Sequence, residues 1–110
     1  VLNWTEDSGW VIVNLSGELD MGNSSSFKNE VVNELISKGK VDIALDFTNL
    51  DYIDSSGLGV IVSLHKRSKI NGGRLAICNL NETLTRLFKL TSLDRALNIY
   101  PDFKSVLQNG

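Results

Sequence analysis

VDIALDFTNLDYIDSSGLGVIVSLHKRSK (residues 41–69) changes its hydrophobic period once, and where it does so decides the fold. VDIALDF (41–47) is an apolar, β-branched run of the length of a buried strand. Thr48 and Asn49 bound it, and residues 50–54 read as a loop. From Asp54 onward the pattern is helical: Val60, Ile61 and Leu64 make an inward stripe, while Ser63, Lys66, Arg67 and Lys69 face out. Asn71, Gly72 and Gly73 end that helix, and RLAIC (74–78) is again a strand. Strand, helix, strand in this order predicts parallel pairing through a right-handed crossover.

Working outward, LNWTE (2–6) and WVIVNLSG (10–17) read as a hairpin turned by Asp7, Ser8 and Gly9, after which GELD (17–20) leads out of the sheet. Phe27, Val31 and Leu35 recur every fourth residue, which predicts a helix capped by Asn23 or Ser24 and stopped at Gly39. Beyond residue 78, Asn79 and Glu82 have capping-box spacing ahead of Leu84, Leu87 and Phe88. ALNIY (96–100) is a last strand, and Pro101 and Asp102 open a final helix packing Phe103, Val106 and Leu107. The expectation is one α/β domain over residues 1–110: an N-terminal hairpin, then β-α alternation with parallel pairing.

Composition narrows the function. With 110 residues, 42% apolar residues and a formal net charge of −2, the chain suits one globular core. No excess of Lys and Arg exists to neutralise phosphates, so nucleic acid is not an expected partner. No apolar run reaches bilayer length, and Asn3, Glu6 and Asp7 break up any leader-like opening, so neither membrane nor secretion is expected. Val1 stands where an initiator Met would. The lone Cys78 excludes an internal disulfide and fits a reducing cytoplasm; with Ile77 and Leu80 near it, it reads as a small buried side chain. One His and one Cys make no zinc site, and neither metal nor cofactor is expected. His65 reads as a helix-surface residue.

IDSSGLGVIV (53–62) carries the candidate site. Asp54 or Ser55 is a good N-cap, which accounts for both without any function. Two glycines, Gly57 and Gly59, then stand in the first turns at a cost of roughly 1 kcal/mol each against alanine. Backbone exposure or close approach by another surface would explain them. The segment also lies beyond a strand C-terminus, where ligands and partners meet sheets of this kind. Enzymatic readings fail. His65 is the only histidine, ten residues along the same helix, hence roughly 15 Å from Ser55 at 1.5 Å per residue, and the nucleophile-elbow pattern is absent. A phosphate-accepting Asp54 would want further carboxylates for Mg²⁺, and the acids Glu6 and Asp7 sit in a hairpin turn instead. No phosphate-binding glycine loop is present.

GELD (17–20), LDFTNLDYIDSSGLGVI (45–61), NGGRLAI (71–77) and LTSLDRALNIYPD (90–102) together resemble the bacterial anti-sigma factor antagonists of the STAS domain class, over nearly the whole chain. The resemblance implies a mixed four- or five-stranded sheet, N-terminal hairpin then β-α alternation, packed with about four helices. It implies a non-enzymatic cytoplasmic regulator of stress response or sporulation, monomeric or weakly dimeric. It implies phosphorylation at Ser55, the serine directly after the motif Asp54. It implies a partner surface of Asp20, Asp54, Ser55, Ser56, Gly57 and Gly59. For Asp20, a turn acid ahead of the helix is an equal reading, and Gly17 serves backbone geometry. The implied partners are an anti-sigma factor that is a serine kinase of the histidine-kinase-like ATPase type, and a PP2C-type phosphatase that reverses the mark. Unmodified antagonist binds the anti-sigma factor and frees the sigma factor. The family also includes stressosome scaffold modules and tails of anion transporters; the absence of a sensor or membrane domain points to the free-standing antagonist. Two other readings stay open: a scaffold module self-associating through an exposed Trp4/Trp10 hairpin, and a small-anion or lipid module binding at the Ser55 helix terminus.

Overall fold

The computed structural model describes residues 2–109. The chain runs β1 (Trp4–Asp7), β2 (Trp10–Leu19), α1 (Ser24–Glu34), a 3₁₀ turn (Ile36–Lys38), β3 (Asp42–Ile53), α2 (Ser55–Ile70), β4 (Arg74–Cys78), α3 (Glu82–Leu90), α4 (Leu93–Ala96), β5 (Asn98–Tyr100) and α5 (Phe103–Asn109). The five strands lie in sequence order; β1–β2 is antiparallel and every later pair is parallel. The sheet is thus mixed and five-stranded, where the resemblance implied four or five strands, with one more short helix, α4, than expected.

Strand alternation sorts the side chains into two layers. Val11, Val13, Ile43, Leu45, Leu75 and Ile77 join the helix residues Val31, Leu35, Ile61, Leu64, Leu84 and Phe88 in the main core. The intervening positions give Trp10, Ala44, Ala76 and Cys78, which pack with Val106 of α5 on the other face. Three of these four are small, so a seven-residue helix can lie close to the sheet.

Several expectations change. Residues 50–53 are strand, not loop: β3 runs on to Ile53 and pairs with a β2 that itself continues to Leu19. GEL therefore stays in the sheet. The register slips between Asn14 and Ser16 and again between Gly17 and Glu18, where β3 spends an extra residue. Gly17 sits at φ +71, a left-handed conformation that glycine adopts without penalty, so its role is geometric as expected. The α3 cap is Asn81, whose side chain accepts from the Leu84 N–H; Asn79 has a positive φ and donates to Asp46 instead. Helix α1 ends at Glu34, and Gly39 closes the 3₁₀ turn after it. Leu107 is 42% exposed, leaving Phe103 and Val106 as the apolar contacts of α5.

The tryptophans do not form an exposed face. Trp10 is 4% exposed, with the Arg74 guanidinium stacked 4.5 Å from its ring centroid, and half-buried Trp4 lies under Lys40, which also pairs with Glu6. Cys78 is buried as expected, and burial, reinforced by Asp46 and Asp102, pushes its thiol up to about 12. His65, expected at the surface, is half-buried with Nδ1 lacking a hydrogen-bond partner; burial, then Lys69 and Lys66, hold its pKa below the ordinary value. Among the described residues, no helix is long and apolar enough to cross a membrane, and no cluster of His, Cys, Asp or Glu is fit to hold a metal ion.

Candidate functional site

Strands β2 and β3 end side by side, Leu19 in register with Ile53, and the two segments that follow are joined by one carboxylate. Asp54 takes extended backbone angles and is the N-cap of α2. Its Oδ1 accepts from the Gly57 N–H at 2.9 Å, as an N-cap acid does. Its Oδ2 accepts from the Met21 N–H, also at 2.9 Å, across 33 residues of sequence. Its own N–H donates to the Leu19 carbonyl at 3.2 Å. Asp54 therefore anchors the start of α2 and pins the 20–23 turn beside it.

That turn is held from within as well. The Asp20 Oδ1 accepts from the Gly22 N–H at 2.9 Å. The Asn23 amide accepts from the Asp20 N–H at 2.9 Å through Oδ1 and donates to the Glu18 carbonyl at 2.7 Å through Nδ2. Asn23 does stand at the N-cap position of α1, but its side chain turns back to the end of β2 instead of capping the helix. The carboxamide suits this place because its Oδ1 accepts and its Nδ2 donates at once, from one planar group. With Asp20, Met21 and Asn23 held this way, the turn is a preorganised feature.

Ser55 is the first residue of α2 and is exposed; Ser56 is half-buried. The two glycines separate. Gly57 is buried: a Cβ there would lie 2.6 Å from the Leu19 carbonyl oxygen and 2.6 Å from Ile53 Cγ1. It is the point where α2 presses on the ends of β2 and β3, so close approach within the fold explains it. At Gly59 a Cβ would meet nothing within 4 Å, and the residue is exposed on the same end of α2. The structure thus gathers Asp20, Asp54, Ser55, Ser56 and Gly59 at one end of the sheet and places Gly57 beneath them. Sequence reading missed Met21, which is 80% exposed while its N–H is tied to Asp54. An apolar residue between an acid and a glycine in a turn was the available signal.

The same fold is found in known proteins. The family model for the STAS domain matches residues 2–106. The chain belongs to the STAS domain family. The anti-sigma-B factor antagonist of Bacillus subtilis is 37% identical over 87 residues, which cover 79% of this chain and 78% of that protein. The crystal structure of a Thermotoga maritima protein assigned to the anti-sigma factor antagonists superposes with a TM-score of 0.92 at 33% identity, covering 97% of this chain and 92% of that one. The Bacillus cell fate determinant SpoIIAA, solved in its phosphorylated form, shares the STAS fold at a TM-score of 0.71 and 20% identity, each chain covered to 98%. The resemblance to STAS anti-sigma factor antagonists read from the motifs therefore holds across the domain.

Proposed function

We propose that this STAS domain is an anti-sigma factor antagonist switched at Ser55. In its unmodified form it binds an anti-sigma factor that is also a serine kinase of the histidine-kinase-like ATPase type, and so releases the sigma factor. Phosphorylation of Ser55 ends that binding, and a PP2C-type phosphatase restores it. The observation that carries the reading is the exposed Ser55 at the start of α2, in a setting held rigid by Asp54. Asp20, Ser56 and Gly59 complete the contact surface, with Gly57 setting its height on the sheet. The solved phosphorylated form of SpoIIAA supports a chemistry of this kind on the same fold.

The energetics need no change of fold. A phosphate on Ser55 adds roughly −1.5 to −2 charges beside a carboxylate whose two oxygens already accept from Met21 and Gly57. The helix dipole returns only about 0.3–1 kcal/mol at such an exposed position. Burying the dianion unpaired under a partner costs several kcal/mol. Moving a complex from 99:1 bound to 1:99 requires about 5.5 kcal/mol of differential affinity, which charge burial supplies.

The test is incubation with candidate kinases and ATP, followed by mass mapping of Ser55 against Ser56. Modification at Ser55 with loss of binding is expected. Ser55→Ala should bind the kinase constitutively and Ser55→Asp weakly; equal affinity of the two variants, or modification at Ser56 alone, refutes the switch.

A further inference from the structure

Three large apolar side chains stand out from this surface almost fully exposed: Met21 at 80%, Ile70 at 82% and Leu90 at 77%. Single exposed hydrophobics are ordinary on soluble proteins and carry no meaning by themselves. Met21 differs in how it is held. Ile70 is the last residue of α2 and Leu90 the last of α3, positions where a helix simply ends. Met21 lies in a turn whose backbone is secured on both sides of it. Its own N–H donates to Asp54 Oδ2, the next N–H donates to Asp20 Oδ1, and the Asn23 amide bridges the Asp20 N–H and the Glu18 carbonyl. A rigid backbone holding an unburied thioether lowers the ordering cost of inserting that side chain into a partner. Methionine also adapts to an irregular apolar socket better than a branched residue does.

The acceptor that fixes Met21 is the N-cap of the helix bearing Ser55, so the apolar side chain and the hydroxyl belong to one unit. We infer that Met21 is the apolar anchor by which the anti-sigma factor docks on this domain, placed beside Ser55 by the shared Asp54 carboxylate. The inference rests on the partner assigned under the proposed function and adds to it what that partner must present. Its face carries an apolar socket of about thioether size next to the site that receives Ser55. Met21 is then a specificity-determining residue: it sets affinity for the unmodified domain, and it takes no part in the phosphoryl transfer.

The experiment compares wild type, Met21→Ser, Met21→Leu and Ile70→Ser against the kinase that modifies the wild-type domain. Binding is measured by calorimetry, and phosphorylation of Ser55 by steady-state kinetics. Met21→Ser should weaken binding roughly tenfold or more, the scale of an interface anchor, and raise KM by a similar factor with kcat unchanged. Met21→Leu should stay within about threefold of wild type, because an apolar side chain of similar volume refills the socket. Ile70→Ser is the exposed-hydrophobe control, about 22 Å along α2 from Ser55 at 1.5 Å per residue, and should bind as wild type does. Unchanged melting temperatures establish that each variant folds. Binding by Met21→Ser within twofold of wild type overturns the inference, as does an equal loss in Ile70→Ser. A fall in kcat without a change in KM also overturns it. A wild-type domain that no candidate kinase binds or modifies instead defeats the reading of the function, and is told apart from the other outcomes by that.

Discussion

Exchanging each of the two motif glycines for alanine should move stability in opposite directions. In Gly57→Ala the new methyl carbon falls 2.6 Å from the Leu19 carbonyl oxygen, 2.6 Å from Ile53 Cγ1 and 3.1 Å from Leu19 Cγ. The Ile53 side chain can turn away, but the carbonyl is backbone in β2, so α2 must lift by most of an ångström. Overpacking of this kind costs about 1–3 kcal/mol, and a backbone contact puts it near the top of that range. Helix propensity returns at most about 1 kcal/mol, less in a first turn. The net is a loss of about 2 kcal/mol, or about 8 °C in Tm at roughly 4 °C per kcal/mol for a domain of this size. In Gly59→Ala the methyl meets nothing within 4 Å, so only the propensity gain remains, up to about 1 kcal/mol. Urea unfolding followed by tryptophan fluorescence, with buried Trp10 as reporter, measures both. A Gly57→Ala domain as stable as wild type, with an unchanged m value, refutes the account of why that glycine is there.

Three further outcomes follow from the geometry. Asp54→Asn keeps one acceptor where two N–H groups need one each, so stability should fall by about 1–2 kcal/mol and the Met21 amide should exchange faster with solvent; unchanged protection at Met21 contradicts the shared anchor. At pH 8, with its thiol at about 12, Cys78 is thiolate in roughly one molecule in ten thousand. Folded protein should resist a thiol reagent that reacts at once in urea; comparable rates in both states contradict the packing of α5. His65 has a lowered folded pKa, so the unfolded chain takes up a proton first as the medium is acidified. Its contribution favours the native state above the unfolded value near 6.5 and is lost as pH falls from there toward the folded pKa. His65→Gln should flatten the stability profile between pH 7 and 5, and an unaltered slope excludes His65 as its source.

Local chemistry accounts for what was legible in the sequence. Apolar, β-branched runs at residues 10–17, 41–47 and 74–78 mark buried strands, and period-3.6 runs from Phe27 and Val60 mark helices that bury one face, so order, parallel pairing and core were readable. The Asp-Ser-Ser-Gly start of α2 was readable as a cap, because capping depends on residues within one turn. The ends of the strands were misjudged because residues 48–53 alternate poorly. Their strand state comes from bulged pairing with β2, which no window of β3 alone contains.

The sequence by itself determined which residues turn the chain, which faces are apolar and where the serine lies on its helix, since each depends on neighbours a few positions away. Only tertiary structure decided that Gly57 is a packing contact and Gly59 a surface, that Asn23 closes the end of β2, and that Met21 stands in the same rigid unit as Ser55. The physical reason is that hydrogen bonds and steric contacts follow distance in space. Asp54 and Met21 are 33 residues apart along the chain, and their 2.9 Å hydrogen bond exists only because β2 and β3 run parallel and end together.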